Sequence, residues 1–133
     1  MFEWPALITI FTLILMFVLM YNVGRARERH QVSAPSVTGN PSFERCYRVQ
    51  LNTLESVIIF LPALWLFSIY VNAIIASILG LIWLLSRIWY ASVYTGANKN
   101  RRLPFGISAL IAVILTLGSL ISVIQLLMQS YPI

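Results

Sequence analysis

The chain has 133 residues, 59% of them hydrophobic and 10% charged, with nine Lys and Arg against four Asp and Glu. A soluble domain carries about a quarter charged residues, so this chain cannot clothe itself in polar surface, and its mean hydropathy of +0.85 points to an integral membrane protein. The net charge of +5 does not indicate nucleic acid, because the basic residues gather in two short loops between apolar segments, as membrane orientation requires. One cysteine, Cys46, excludes an intrachain disulfide, and one histidine, His30, leaves no cluster with zinc-ligand spacing, so no metal is expected. Cys46 reads as a small packing residue.

The first apolar run, about Ala6 to Val23, is long enough to cross a hydrocarbon core of roughly 30 Å at about 1.5 Å per helical residue. Only Glu3 precedes it and no basic n-region is present, so it reads as a retained helix rather than a signal peptide. Arg25, Arg27 and Arg29 follow at once, and Gln31–Ser42, with Pro35, Gly39 and Pro41, is a loop. A second helix spans about 43–70, beginning outside the hydrocarbon and carrying Pro62, which is expected to kink it. After the short turn Val71–Asn72 a third helix returns over about 73–94, with Trp83 and Trp89 expected as interfacial anchors near its end. The second polar loop, Thr95–Leu103, carries Lys99, Arg101 and Arg102. The fourth helix covers about 105–128, with Gly106, Ser108, Gly118 and Ser119 available for close packing.

The expectation is a single all-α domain over the whole chain, a four-helix up-and-down bundle in the membrane. All nine basic residues lie in the two loops or at the helix ends adjoining them. The positive-inside bias then puts both loops in the cytoplasm and both termini on the other side, with a bacterial inner membrane favoured by the short loops.

Polar residues converge at the loop end. In Phe43–Glu55 (FERCYRVQLNTLE), Arg48, Asn52 and Glu55 fall at i, i+4 and i+7, on one helical stripe, with Gln50 between them. Arg87, Tyr90 and Tyr94 form a similar set on the third helix, and Arg101 stands in the second loop. These groups could simply satisfy one another, with Glu44–Arg48 and Arg48–Glu55 as ion pairs and the tyrosines at the interface; composition alone favours this. The mixture of arginines, carboxylate, amides and phenols equally suits a zwitterionic, peptide-like ligand, since arginine grips carboxylates bidentately and Glu holds an amine.

At these residues the sequence resembles the MAPEG family, membrane-associated proteins in eicosanoid and glutathione metabolism. It is most similar to the branch of leukotriene-conjugating synthases, type-two microsomal glutathione transferases and the five-lipoxygenase-activating protein. The resemblance is carried by FERCYRVQLNTLE, Pro62, SRIWYASVY (Ser86–Tyr94), NKNRRLP (Asn98–Pro104) and the loop VSAPSVTGNPSFER. It implies a homotrimer with glutathione bound between protomers, held by Arg48, Asn52 and Glu55, with Gln50, Arg87, Tyr90 and Tyr94 as further contacts. Arg101 would face the glutathione sulfur and favour its thiolate. The implied activity is glutathione transfer to hydrophobic electrophiles or lipids, with reduction of lipid hydroperoxides as a side activity. The alternative is a non-catalytic lipid-binding or scaffold protein of the same fold. Two positions depart from the synthase pattern: Glu28 stands where a second arginine is found, and Ser56 where a tyrosine follows the glutamate.

Overall fold

The computed structural model describes residues 1–95 and 100–132. Four helices follow one another: α1 (Glu3–His30), α2 (Pro41–Tyr70), α3 (Ala73–Thr95) and α4 (Arg102–Ser130). All four are long and apolar enough to cross a membrane. Their outward faces carry large apolar side chains, among them Phe17, Ile58, Ile74, Leu110 and Leu127. Lipid tolerates such faces, and helices satisfy their own backbone polar groups there.

Local chemistry fixes the helix ends. Asn40 caps α2 by accepting from the backbone N–H groups of Ser42 and Phe43 at 2.9 and 3.1 Å, and Pro41 takes the first helical position, where no N–H is needed. Asn72 does the same for α3, accepting from Ile74 and Ile75 at 2.9 Å each. The Asn72 cap makes the α2–α3 reversal possible in so few residues.

Two boundaries differ from the sequence reading. α1 continues past Val23 to His30, because Arg27, Arg29 and His30 suit a helix C-terminus. It stops at Gln31, in the left-handed region with φ 56°. α4 begins at Arg102 rather than after Pro104, since proline is tolerated in the first turn.

α2 and α3 form the centre of the bundle. α1 packs against both and so does α4, while α1 and α4 make no contact among the described residues. The core is centred on Phe60 and Trp83, stacked with ring centroids 3.9 Å apart and 1° between planes, with Leu64, Ala76 and Leu115 also fully buried. The expectation for Trp83 is therefore overturned. It is 0% exposed and donates its indole N–H to Ser56 Oγ at 3.2 Å. An aromatic partner on the facing helix holds it in the core, whereas Trp89 stays exposed.

At Gly118 of α4 an added Cβ would lie 2.6 Å from the Phe67 ring of α2. Nearby, Ser122 Oγ donates to the Tyr70 carbonyl at 2.6 Å. Gly118→Ala is expected to lower stability by about 1–3 kcal/mol through overpacking. At Gly106 an added Cβ meets nothing within 4 Å, so Gly106→Ala should be neutral or stabilising by up to about 1 kcal/mol. Thermal unfolding of both variants in detergent checks the contrast.

Candidate functional site

Up-and-down topology brings the C-terminal ends of α1 and α3 and the N-terminal ends of α2 and α4 to one end of the bundle. A pocket of about 430 Å³ opens there, lined by Arg48 and Asn52 from α2, Tyr90 and Tyr94 from α3, and Arg101, Arg102 and Phe105 at the start of α4. Five of the residues singled out in the sequence thus share one cavity. Asn52 and Phe105 also border a second cavity of about 670 Å³ between α2 and α4, which adds Glu55, Ser56, Arg87 and Ser108 before giving way to Ala112, Val113 and Leu117. A third, of about 470 Å³, shares Ile59 and Thr116 with the second and is walled by apolar side chains such as Ile58, Leu66 and Leu120. A cationic mouth therefore leads into an apolar groove.

Tyr90 is the hub of the mouth. Asn52 Nδ2 donates to its hydroxyl at 2.9 Å, and its ring lies 5.5 Å from Tyr94 and 6.1 Å from Phe105. The Arg87 guanidinium sits over the same ring at 4.4 Å, and that of Arg101 over the Tyr94 ring at 4.8 Å. Because the ring contacts survive removal of the hydroxyl, Tyr90→Phe is expected to cost about 0.5–1.5 kcal/mol. The check is a thermal midpoint lowered by only a few degrees.

Arg87 is 1% exposed. It donates to Ser108 Oγ at 3.2 Å and Thr53 Oγ1 at 3.0 Å, and the Ser108 hydroxyl donates in turn to the Phe105 carbonyl at 2.9 Å. One guanidinium thus ties α2, α3 and α4 together, while its buried Nε has no hydrogen-bond partner among the described residues. An unpaired buried donor beside a cavity is unusual. Thr53 was missed in the sequence and Ser108 was read only as a packing residue. A buried arginine in an apolar helix demands acceptors, so hydroxyls on the facing helices were the available signal.

The predicted ion pairs do not form. Among the described residues the only salt bridge joins the N-terminal amine to Glu3 at the far end of the chain, and neither Glu44–Arg48 nor Arg48–Glu55 is made. Arg48, Glu55 and Arg101 are exposed instead, since side chains in water gain little from pairing. They remain available to a ligand. Gln50 is not gathered with the others: it lies on another face of α2, 200° round from Arg48 at about 100° per residue, and lines none of these cavities. Lys99 lies outside the described residues. No group of three or more His, Cys, Asp or Glu that could hold a metal occurs among the described residues.

Fold and pocket together define a multi-pass membrane protein with a cation-lined polar mouth above an apolar groove. The chain belongs to the MAPEG family, whose profile matches residues 5–121. It is 50% identical over 126 residues to an uncharacterized protein of Synechocystis sp., covering 95% of this chain and 92% of that one. It is 41% identical to microsomal glutathione S-transferase 2 of Bos taurus over 102 residues, or 74% of this chain and 70% of that protein. With leukotriene C4 synthase of Cavia porcellus it shares 36% identity over 119 residues, 86% of this chain and 79% of the other.

Proposed function

We propose that the protein is a membrane-bound glutathione transferase that joins glutathione to hydrophobic electrophiles. The observation that carries this reading is the gathering of Arg48, Asn52, Tyr90, Tyr94 and Arg101 around one pocket that borders an apolar cavity. Its volume of about 430 Å³ falls in the usual range for small-ligand sites of about 300–1,000 Å³. Glutathione has two carboxylates, one amine, two amides and a thiol. Arg48 would hold a carboxylate, Glu55 the amine and Asn52 a peptide group, with the tyrosine rings packed beside them. Relatives named as a glutathione transferase and a leukotriene synthase support the same assignment.

Arg101 acts on the sulfur. A free thiol near pH 7 is only a few per cent thiolate; pulling its pKa down by about two, roughly 2.7 kcal/mol, makes the thiolate the main form. The thiolate then attacks the electrophilic carbon and the leaving group departs with the bonding pair. With a lipid hydroperoxide as acceptor, two glutathiones would give the alcohol, water and glutathione disulfide. No nucleophile of the protein takes part, and Cys46 is not needed. Arg87 serves as a brace that fixes Tyr90 and the α4 start. The site is completed in a homotrimer, where Gln50, which faces away from its own pocket, would reach a neighbour's.

The test is conjugation of glutathione to an electrophilic aryl chloride by protein purified in detergent. Saturable turnover in both substrates is expected. Glutathione binding without turnover would instead favour a lipid-binding or scaffold role, and neither binding nor turnover would end the glutathione reading.

A further inference from the structure

A serine inside a helix commonly turns its hydroxyl hydrogen back to the carbonyl one turn earlier. Ser68, Ser77, Ser86 and Ser119 do so, each donating at 2.7 Å to the residue four positions before it. Ser56 does not. Its Oγ accepts the indole N–H of Trp83 at 3.2 Å, and among the described residues no acceptor takes its own hydrogen. Trp83 is fixed by burial and by its stack on Phe60, and an indole nitrogen only donates. The Ser56 hydroxyl hydrogen is therefore directed away from Trp83.

Ser56 stands one turn deeper than Asn52 and lines the α2–α4 cavity of about 670 Å³ that joins the polar mouth to the apolar groove. The other hydroxyls bordering that cavity are committed: Ser108 donates to the Phe105 carbonyl at 2.9 Å and Thr116 to that of Ala112 at 2.8 Å. Ser56 alone among them keeps a hydrogen for an occupant. Its bond to Trp83 lies within one protomer, so this orientation does not depend on what a neighbouring protomer adds to the cavity wall.

We propose, resting on the glutathione-transferase reading, that the Ser56 hydroxyl donates to the carbonyl oxygen of the acceptor and so selects α,β-unsaturated carbonyl compounds. As the thiolate sulfur bonds to the β-carbon, the π pair of the carbon–carbon double bond shifts toward the carbonyl and its oxygen takes up the negative charge. The Ser56 O–H, already oriented by Trp83, stabilises that charge without reorganising. The α-carbon then takes a proton from water, and the proton released when glutathione ionised neutralises the hydroxide. The enolate shares its charge with carbon, so one hydrogen bond serves where a full proton transfer is not needed. The apolar remainder of the acceptor lies on toward Val113 and Leu117. An alkyl chloride puts its charge on the departing chloride and offers this donor no oxygen.

Steady-state conjugation of glutathione to cinnamaldehyde and to cinnamyl chloride, which share a carbon skeleton, tests this in the purified wild type, Ser56→Ala and Ser56→Thr. For Ser56→Ala, kcat/KM with cinnamaldehyde should fall by about 10- to 100-fold, the loss expected for one hydrogen bond to a charged oxygen. The rate with cinnamyl chloride and the affinity for glutathione should stay near those of the wild type. Ser56→Thr, which keeps the hydroxyl, should retain most of the cinnamaldehyde rate. An unchanged cinnamaldehyde rate in Ser56→Ala, or an equal fall with both acceptors, would overturn the assignment. A wild type that conjugates cinnamyl chloride but not cinnamaldehyde would overturn it while leaving the transferase reading in place; turnover of neither acceptor would end both.

Discussion

Arg101→Ala should lower turnover of glutathione with an electrophilic aryl chloride by about 10- to 100-fold at pH 7, while glutathione binds within a few-fold of wild type. The reason is that Arg101, exposed and stacked on Tyr94, forms no salt bridge among the described residues and can stabilise a ligand anion. Losing roughly 2.7 kcal/mol of thiolate stabilisation returns the thiol to its ordinary pKa near 8.5. The sign of the pH dependence follows. Below that pKa the variant holds mostly thiol and is slow; as the pH approaches about 9 the thiol ionises unaided, so the deficit should shrink. Steady-state rates from pH 6.5 to 9 check both statements, and a deficit that stays constant with pH would remove Arg101 from thiolate stabilisation.

Arg48→Ala should show the opposite split. A charge-assisted hydrogen bond to a carboxylate contributes about 1.5–3 kcal/mol, so glutathione affinity should fall by about 10- to 100-fold. Turnover at saturating glutathione should change little, because Arg48 holds the ligand's end in the ground state and transition state alike. Arg48 is exposed and makes no ion pair among the described residues, so its removal leaves no buried ion-pair partner there and the fold should be unaffected. Calorimetric titration of glutathione, compared with kcat, separates the two effects; a fall in kcat with unchanged affinity would reverse the assigned roles.

The four membrane helices were legible because length and apolarity suffice to specify them in lipid. The stripe of Arg48 and Asn52 was legible because helical spacing does put them on one face, and both line the mouth. Glu55, one turn further, falls in the adjoining cavity with Asn52. What the sequence hid was decided by partners on other helices. Trp83 looks like an interfacial anchor until Phe60 is seen stacked on it. The predicted pairs of Glu44 and Glu55 with Arg48 obeyed sequence spacing but offered too little energy at an exposed surface to hold long side chains together. Likewise, the commitment of Arg27 to the loop depends on where the carbonyls of Val32 and Ser36 come to rest.

Titrating the purified wild-type protein with glutathione at pH 7 and following the ultraviolet absorbance of the thiolate tests the central claim most directly. A saturable rise, absent with S-methylglutathione and lost in Arg101→Ala, is the predicted result. Saturable glutathione binding with no thiolate absorbance would contradict it.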